Sequence, residues 1–351
     1  MQKKGSLHGF NSFNCGLQGR QQMSSGKTAP EDVLMMARGF CASRVLLTAA
    51  ELKIFGKLPA TAREIAIRES WDMEALTILL DALSAMEVLE KSGERYQLSQ
   101  PLADALGGNE EQSILPMIEH LNSMWQNWSK LSSVIQNGRA PDRMILKDPE
   151  TVRSFIGAMH VIGKDLAGEL ALELKPVWAK RMLDIGGASG SYTIAFLNAV
   201  QGLECTLFDL PAVIPMARER LAANNLLNRV TLISGDYCED PLPPGHDLVW
   251  LSAVIHQNSR EQNRELFLKC FNALSPGGRI WIRDYVMDET RVKPPSGAIF
   301  AVNMLVMTKG GNNYTFDEIS DDLTSAGFIS PNVIRQGNEM DCVMEAMRAS
   351  E

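Results

Sequence analysis

Four short stretches concentrate the residues able to do chemistry. Leu183-Asp184-Ile185-Gly186-Gly187-Ala188-Ser189-Gly190 joins the end of an apolar run to the start of a helical pattern. Small residues there let a ligand approach the backbone, and a helix N-terminus offers unpaired N–H groups. Such a turn alone is a weak signal, because dinucleotide enzymes share it. Asp209 ends the next apolar run, at about the separation where a carboxylate accepts hydrogen bonds from vicinal ribose hydroxyls. Gly235-Asp236-Tyr237 follows the third run, where a carboxylate can accept from an exocyclic adenine amine and an aromatic ring can pack on the base. Asp209 and Asp236 could instead cap helices or turns, but two acids at the carboxyl ends of consecutive strands favour the cofactor reading. The fourth run ends in Ser252-Ala253-Val254-Ile255-His256-Gln257. An imidazole titrates near neutrality and suits removal of a proton from a phenol or activated hydroxyl. Asp284, at the end of the fifth run, is placed to hold the tautomer of that imidazole.

These residues need strand ends to carry them. From Arg181 onward, apolar segments at 182–186, 205–209, 230–234, 247–252 and 279–286 alternate with helical patterns at 191–200, 212–224 and 260–274. That alternation predicts βαβ units around a parallel sheet. Two further apolar segments, 327–335 and 341–347, have no helix between them and fit an antiparallel edge pair. Thr315 and Glu318 form a capping box that opens the helix before them.

The first half reads differently. Residues 1–29 are rich in Gly, Ser, Asn and Gln and predict a flexible extension. A short helix at 62–68, a longer one at 72–86 and a hairpin at 88–98 turning on Ser92-Gly93-Glu94 predict a winged helix. Its second helix begins Trp71-Asp72-Met73-Glu74, an acidic start that would repel phosphates, so packing is favoured over DNA binding. Long helical patterns follow at 111–136, carrying His120, Trp125 and Trp128, and at 149–174, carrying Phe155, Met159 and His160. Such Met- and aromatic-rich stripes suit either a core or the lining of a small-molecule pocket.

Composition narrows the class. The chain has 351 residues, 45% of them hydrophobic, and a formal net charge of -8, which fits two packed domains and disfavours nucleic acid. Cys15, Cys41, Cys205, Cys238, Cys270 and Cys342 form no CxxC pair, which argues against a zinc site or disulfide framework and favours a reducing cytoplasm. No apolar run approaches the roughly 20 residues of a membrane helix, and no secretory h-region opens the chain.

The ordered set Asp184-Ile185-Gly186-Gly187, Phe208-Asp209-Leu210-Pro211, Gly235-Asp236-Tyr237, Val254-Ile255-His256 and Ser275-Pro276-Gly277-Gly278 resembles the plant caffeate and flavonoid O-methyltransferases and their bacterial relatives. The resemblance runs from about Val33 to Met347. It implies an α/β fold: a Rossmann-like seven-stranded sheet for S-adenosylmethionine behind an N-terminal α-helical winged-helix dimerisation domain. The implied division is 30–105 for that domain, 106–180 for a helical linker to the substrate pocket and 181–351 for the catalytic domain. The chain would then be a cytoplasmic homodimer acting on a small-molecule acceptor, with S-adenosylhomocysteine as product and no metal. By the same resemblance Gly186 approaches the methionyl part, Asp209 the ribose, and Asp236 with Tyr237 the adenine. Asp184, Gly187, Leu210, Gly235 and Ser252 complete the cofactor set, and His256 matches the catalytic base. Phe155, Met159 and Met304 match positions that contact the acceptor's ring, and Trp125 and His160 share the same stripes.

The departures are specific. Gln257-Asn258 stands where the family has Asp-Trp, and Ser252 where plant members have a lysine near the cofactor. Asp284 stands for a flanking Glu, and its shorter side chain calls for a shifted imidazole or a bridging water. Asn313 replaces a second flanking Glu and can accept a hydrogen bond without supplying charge. Two other readings stay open at this point: a family member with decarboxylating or hydroxylating chemistry, and a winged-helix regulator that responds to small molecules. A nicotinamide dehydrogenase fits less well, since it has no use for His256.

Overall fold

The computed structural model describes residues 28–100, 102–107, 113–139 and 149–350. Apart from its last two residues, the expected extension over 1–29 lies outside them, as does the start of the helical pattern at 111. The chain forms two compact units that divide between Gln126 and Asn127, inside the stretch that the sequence suggests is a linker.

In the N-terminal unit, α1 (Pro30–Arg38) and α2 (Phe40–Glu51) precede β1 (Ala60–Thr61), α3 (Ala62–Glu69) and α4 (Met73–Ala85). The hairpin β2 (Leu89–Ser92) and β3 (Arg95–Leu98) follows, then α5 (Leu102–Gly107) and α6 (Leu115–Trp128). α4 begins where Asp72 accepts the Ala75 N–H at 2.7 Å, a cap that contributes about 1 kcal/mol. The same bond consumes the carboxylate of the acidic helix start. Leu76, Leu80 and Leu83 recur at helical spacing and pack with Ile65, Leu89 and Tyr96 in one core. β1 pairs with β3, so the hairpin becomes a three-stranded sheet. One sequence expectation needs correcting here. Within Pro30–Glu51 an 18-residue window reaches a mean hydropathy of 1.4, apolar enough by length and composition alone to cross a membrane. Glu31, Asp32, Arg38, Arg44 and Glu51 interrupt the apolar stretch.

In the C-terminal unit, α7 (Leu131–Asn137) and the 26-residue α8 (Pro149–Leu174) lead into the sheet. Its elements are β4 (Arg181–Ile185), α9 (Ser191–Ala199), β5 (Glu204–Asp209), α10 (Ile214–Ala223), β6 (Val230–Ser234), β7 (His246–Ser252), α11 (Arg260–Ala273) and β8 (Leu274–Asp284). After β9 (Val286–Met287), α12 (Pro295–Met307), β10 (Tyr314–Thr315) and α13 (Phe316–Ser325), the chain closes with β11 (Ile329–Arg335) and β12 (Cys342–Met347). The seven-stranded order is β11-β12-β8-β7-β4-β5-β6, with β12 antiparallel to both its neighbours. The expected edge pair is therefore present, and Thr315 and Glu318 cap α13 as predicted. β9 and β10 form a separate parallel pair, which the sequence reading did not foresee.

Strand alternation divides the core into two faces. Leu183, Val249, Leu251, Ile280 and Ile282 pack on one, and Met182, Leu248, Trp250 and Trp281 on the other. The winding reverses at β4, whose neighbours are β5 on one side and β7 on the other. Ligands bind such sheets outside the carboxyl ends at this reversal.

Candidate active site

The turn after β4 is shaped by crowding. Gly186 has φ +69°, a conformation that favours glycine, and its N–H donates to the Phe208 carbonyl at 2.8 Å. A Cβ on Gly187 would lie 2.6 Å from Leu207 Cγ, so only glycine lets the turn settle against β5. The Ala188 N–H then donates to Asp209 Oδ2 at 2.7 Å, and the Leu210 N–H to Oδ1 at 2.7 Å. Two backbone donors thus aim the Asp209 carboxylate at the rim beside the turn. Burial still pushes its pKa up to about 6, so further donors from a ligand would offset an unfavourable charge. Vicinal ribose hydroxyls are such donors. The residues present fit the nucleoside cofactor on this ground.

Asp184, expected with the cofactor set, belongs beneath the turn. It is buried, accepts from Thr193 Oγ1 at 2.6 Å and is pushed up to about 7 by burial. Leu210 is exposed at the rim. At the end of β6, the Asp236 carboxylate accepts the Cys238 N–H at 2.9 Å, and its own N–H donates to Asp240. The Tyr237 ring packs partly against the core, with its hydroxyl 3.4 Å from Asn258 Oδ1. Gly235 is forced by Phe208, whose Cζ would lie 2.4 Å from a Cβ there.

His256 sits on the 3-10 turn Ile255–Gln257 after β7 and is buried. Its Nδ1 lies 2.9 and 3.0 Å from the two oxygens of Asp284, itself buried at the end of β8. The contact is direct, so the shorter side chain reaches the ring without a bridging water. Asp284 also accepts the Tyr285 N–H at 2.9 Å, which fixes the carboxylate plane. The Phe300 ring meets the imidazole edge-on with centroids 4.9 Å apart. Among the described residues no hydrogen bond engages Nε2. Asn258, in place of the family's Trp, is buried and structural. It donates to Asn263, which donates to the Ile255 carbonyl at 2.9 Å, while the Tyr314 hydroxyl donates to the Asn258 carbonyl. Gln257 is exposed and turns back to the Ala253 carbonyl.

Several expected contacts fall elsewhere. Asn313 is buried and donates to the Gly297 carbonyl, with no hydrogen bond to His256 among the described residues. Its amide nitrogen is taken up by α12, while its buried side-chain oxygen has no hydrogen-bond partner among the described residues. Phe155 packs with Ala188, Val213 and Met216, beside the Gly-rich turn. His160 lies between Ser191 Oγ at 2.8 Å and an Arg220 nitrogen at 2.6 Å, with its pKa lowered to about 4 by burial and the nearby cations. It ties α8 to α9 and α10. Met159 is half-buried on α8. Ser252 accepts from Arg283 at 2.7 Å. Trp125 belongs to the N-terminal unit, where Arg44 lies 5.8 Å from its ring centroid. Met304 does reach the neighbourhood of the imidazole, in a cluster with Tyr285, Phe300 and Met340. Of that wall, the sequence reading found only Met304. α12 is apolar on every side, so its periodicity marks no face. Trp128 Nε1 donates to the buried Asn303 on the same helix at 2.9 Å.

The family model for the O-methyltransferase domain matches residues 137–329, more than half the chain. The chain belongs to this family. The O-methyltransferase dimerisation domain matches residues 34–106 of this O-methyltransferase. Relatives include the 3-hydroxy-5-methyl-1-naphthoate 3-O-methyltransferase of Streptomyces sahachiroi, 29% identical and covering 86% of this chain and 90% of that protein. The tetracenomycin polyketide synthesis 8-O-methyl transferase TcmO of Streptomyces glaucescens is 28% identical over 85% of this chain and 91% of its own. The solved structure of PigF with SAH shares the fold with a TM-score of 0.82 at 23% identity, covering 92% of this chain and 100% of PigF. Human N-acetylserotonin methyltransferase with SAM gives 0.76 at 23% identity, over 93% and 100%. This enzyme is an S-adenosylmethionine-dependent O-methyltransferase. Among the described residues, no group of three or more His, Cys, Asp or Glu could hold a metal ion.

Proposed function

We propose that the enzyme methylates a phenolic or similarly acidic hydroxyl on a small apolar aromatic acceptor, with His256 as general base. One observation carries this reading: both Asp284 oxygens bracket His256 Nδ1, at 2.9 and 3.0 Å. An acceptor-only carboxylate holds the ring proton on Nδ1, which leaves the Nε2 lone pair to take a proton. As the imidazolium forms, the same carboxylate stabilises it. Phe300, Met304, Tyr285 and Met340 supply an apolar wall beside the base, and two relatives are named for naphthoate and polyketide hydroxyls.

S-adenosylmethionine supplies an electrophilic methyl group when bound. Asp209 would hold its ribose and Gly186 would lie against its methionyl part, while Asp236 and Tyr237 would flank the adenine. A positioned base contributes about 10²- to 10⁴-fold, and orientation of two reactants contributes up to roughly 7–11 kcal/mol. Positioning is therefore the larger share, in line with attack along the axis of the departing sulfur. The exposed apolar face of α1 and α2, with Leu34, Met36 and Phe40, is where a second copy would pack to give a homodimer.

A panel of small phenols incubated with labelled methyl donor and read by mass spectrometry tests the proposal. His256→Ala should lower turnover by about 10²- to 10⁴-fold and leave cofactor affinity intact. Asp209→Ala should weaken the cofactor and spare the base. Unchanged turnover in His256→Ala removes the base assignment.

A further inference from the structure

A buried cation lies on the sheet face with no counter-charge among the described residues. Arg283 is only 5% exposed, one residue before Asp284 on β8. Its Nε donates to the Met340 carbonyl at 2.7 Å and its Nη1 to Ser252 Oγ at 2.7 Å. No hydrogen bond leaves Nη2 among the described residues, and no carboxylate there lies within ion-pair distance of the group. Burying a guanidinium without an anion is costly, so the position calls for one.

The neighbours are donors too. The Tyr192 ring lies 5.2 Å from the Arg283 carbon, and its hydroxyl is buried without a hydrogen-bond partner. Burial pushes the Tyr192 phenol up, and the nearby Arg283 charge and Ser252 hydroxyl pull against that rise. Strand register sets the location. Ile185 pairs with Leu251 and Ser252 pairs with Arg283, so Gly186 and Ser252 stand side by side one residue past a ladder pair. On the other flank, Met340 joins Tyr285, Phe300 and Met304 in the wall beside His256. The cation therefore stands at the border between the Gly-rich turn and that wall. Ser252, where the plant members have a lysine, hands the charge to the next strand.

We propose that Arg283, with Ser252 and Tyr192, forms a carboxylate-binding cluster at the carboxyl ends of β7 and β8. A guanidinium and two hydroxyls match the lone pairs of one carboxylate. Two ligands can bring it: the cofactor through its methionyl end, or an aromatic acceptor bearing a carboxylate beside its hydroxyl. The second source rests on the proposed function; the first does not.

Calorimetry separates them without relying on turnover. S-adenosylhomocysteine and its carboxamide are titrated into the wild-type enzyme and into Arg283→Met. A hydroxylated aromatic carboxylate and its carboxamide are then titrated in the presence of S-adenosylhomocysteine. Loss of a charged hydrogen-bond partner should weaken the carboxylate ligand about 10- to 100-fold and leave its carboxamide unmoved. That loss for S-adenosylhomocysteine assigns the cluster to the cofactor, and that loss for the acceptor alone assigns it to the acceptor. Should Arg283→Met fail to fold, the carboxylate-against-carboxamide ratio in the wild-type enzyme and in Ser252→Ala decides. Equal affinity for carboxylate and carboxamide in both pairs overturns the proposal. Failure of every phenol to be methylated, with the S-adenosylhomocysteine preference intact, overturns only the acceptor reading.

Discussion

Replacing Asp284 by Asn tests the base in the sharpest way, because the structure fixes which way the amide must turn. The carboxylate accepts the Tyr285 N–H on Oδ1 at 2.9 Å and the His256 N–H on Oδ2 at a longer 3.4 Å. An amide has one oxygen, and the shorter bond claims it. The NH2 group then occupies the Oδ2 place, 3.0 Å from Nδ1, where it can only donate. Nδ1 then faces the amide oxygen at 2.9 Å and the NH2 at 3.0 Å, so its proton loses the charged acceptor that held it, and a tautomer with the proton on Nε2, the atom that has to receive one, becomes competitive. The base is weakened, and its imidazolium loses a counter-charge, without removal of a ring. At about 1.4 kcal/mol per decade, a contribution of about 10²- to 10⁴-fold corresponds to roughly 3–5 kcal/mol of barrier. The assay is kcat for a phenolic acceptor, with S-adenosylhomocysteine affinity measured in parallel. Affinity should hold, since β7 and β4 separate Asp284 from Asp209. The variant's rate should climb with pH as the phenol, of ordinary pKa about 10, ionises unaided. A kcat close to the parent's at neutral pH, with an unchanged pH profile, refutes the tautomer argument.

Burial raises the Asp209 carboxyl to about 6, above its ordinary value, so in the free enzyme the folded state binds the extra proton between about pH 4 and 6. Ribose hydroxyls favour the ionised form, so S-adenosylhomocysteine affinity should rise from pH 5 to 7 and then level off, and Asp209→Asn should flatten that rise. Gly187→Ala places a Cβ 2.6 Å from Leu207 Cγ and 2.9 Å from its Cδ1. Urea denaturation should show a loss of about 1–3 kcal/mol, relieved by Leu207→Ala in the same chain. Phe40→Glu with Met36→Glu puts charge on an exposed apolar face of α1 and α2; light scattering should report monomers, and an unchanged dimer would place the interface elsewhere.

What the sequence made legible was what repeats locally. Strand ends at Ile185, Asp209 and Ser234 follow from apolar runs that stop at Gly or an acid, and α8 is bounded by the pattern that predicts it. The helix expected over 111–136 instead breaks at Ser129 and Lys130 into α6 and α7. β9 and β10 are two residues each and exist only through one another, so no local signal precedes them. Within the site, periodicity put Phe155 and His160 on the inner face of α8 but could not say what that face meets. It meets Ala188, Ser191 and Arg220, beside the Gly-rich turn. Phe300 and Arg283 went unnoticed for a different reason: an apolar helix and a lone cation in a strand look ordinary until their neighbours are known.

The two residues that matter most on β8 are consecutive, and strand geometry turns that adjacency into a division of labour. Side chains alternate across a sheet, so Asp284 and Arg283 project to opposite faces. Asp284 meets His256, and Arg283 meets Ser252 and Tyr192. A slip of one residue would exchange them, pointing a guanidinium at the base and a carboxylate at the buried hydroxyls. β12 resists that slip through a six-residue ladder from Cys342 opposite Asp284 to Met347 opposite Arg279. Glu345 strengthens the ladder by accepting from Trp281 Nε1 at 2.8 Å and from Arg279 at 3.1 Å. The antiparallel strand beside β8 thus sets which face of the sheet Asp284 occupies, and with it the partner that the proposed base receives.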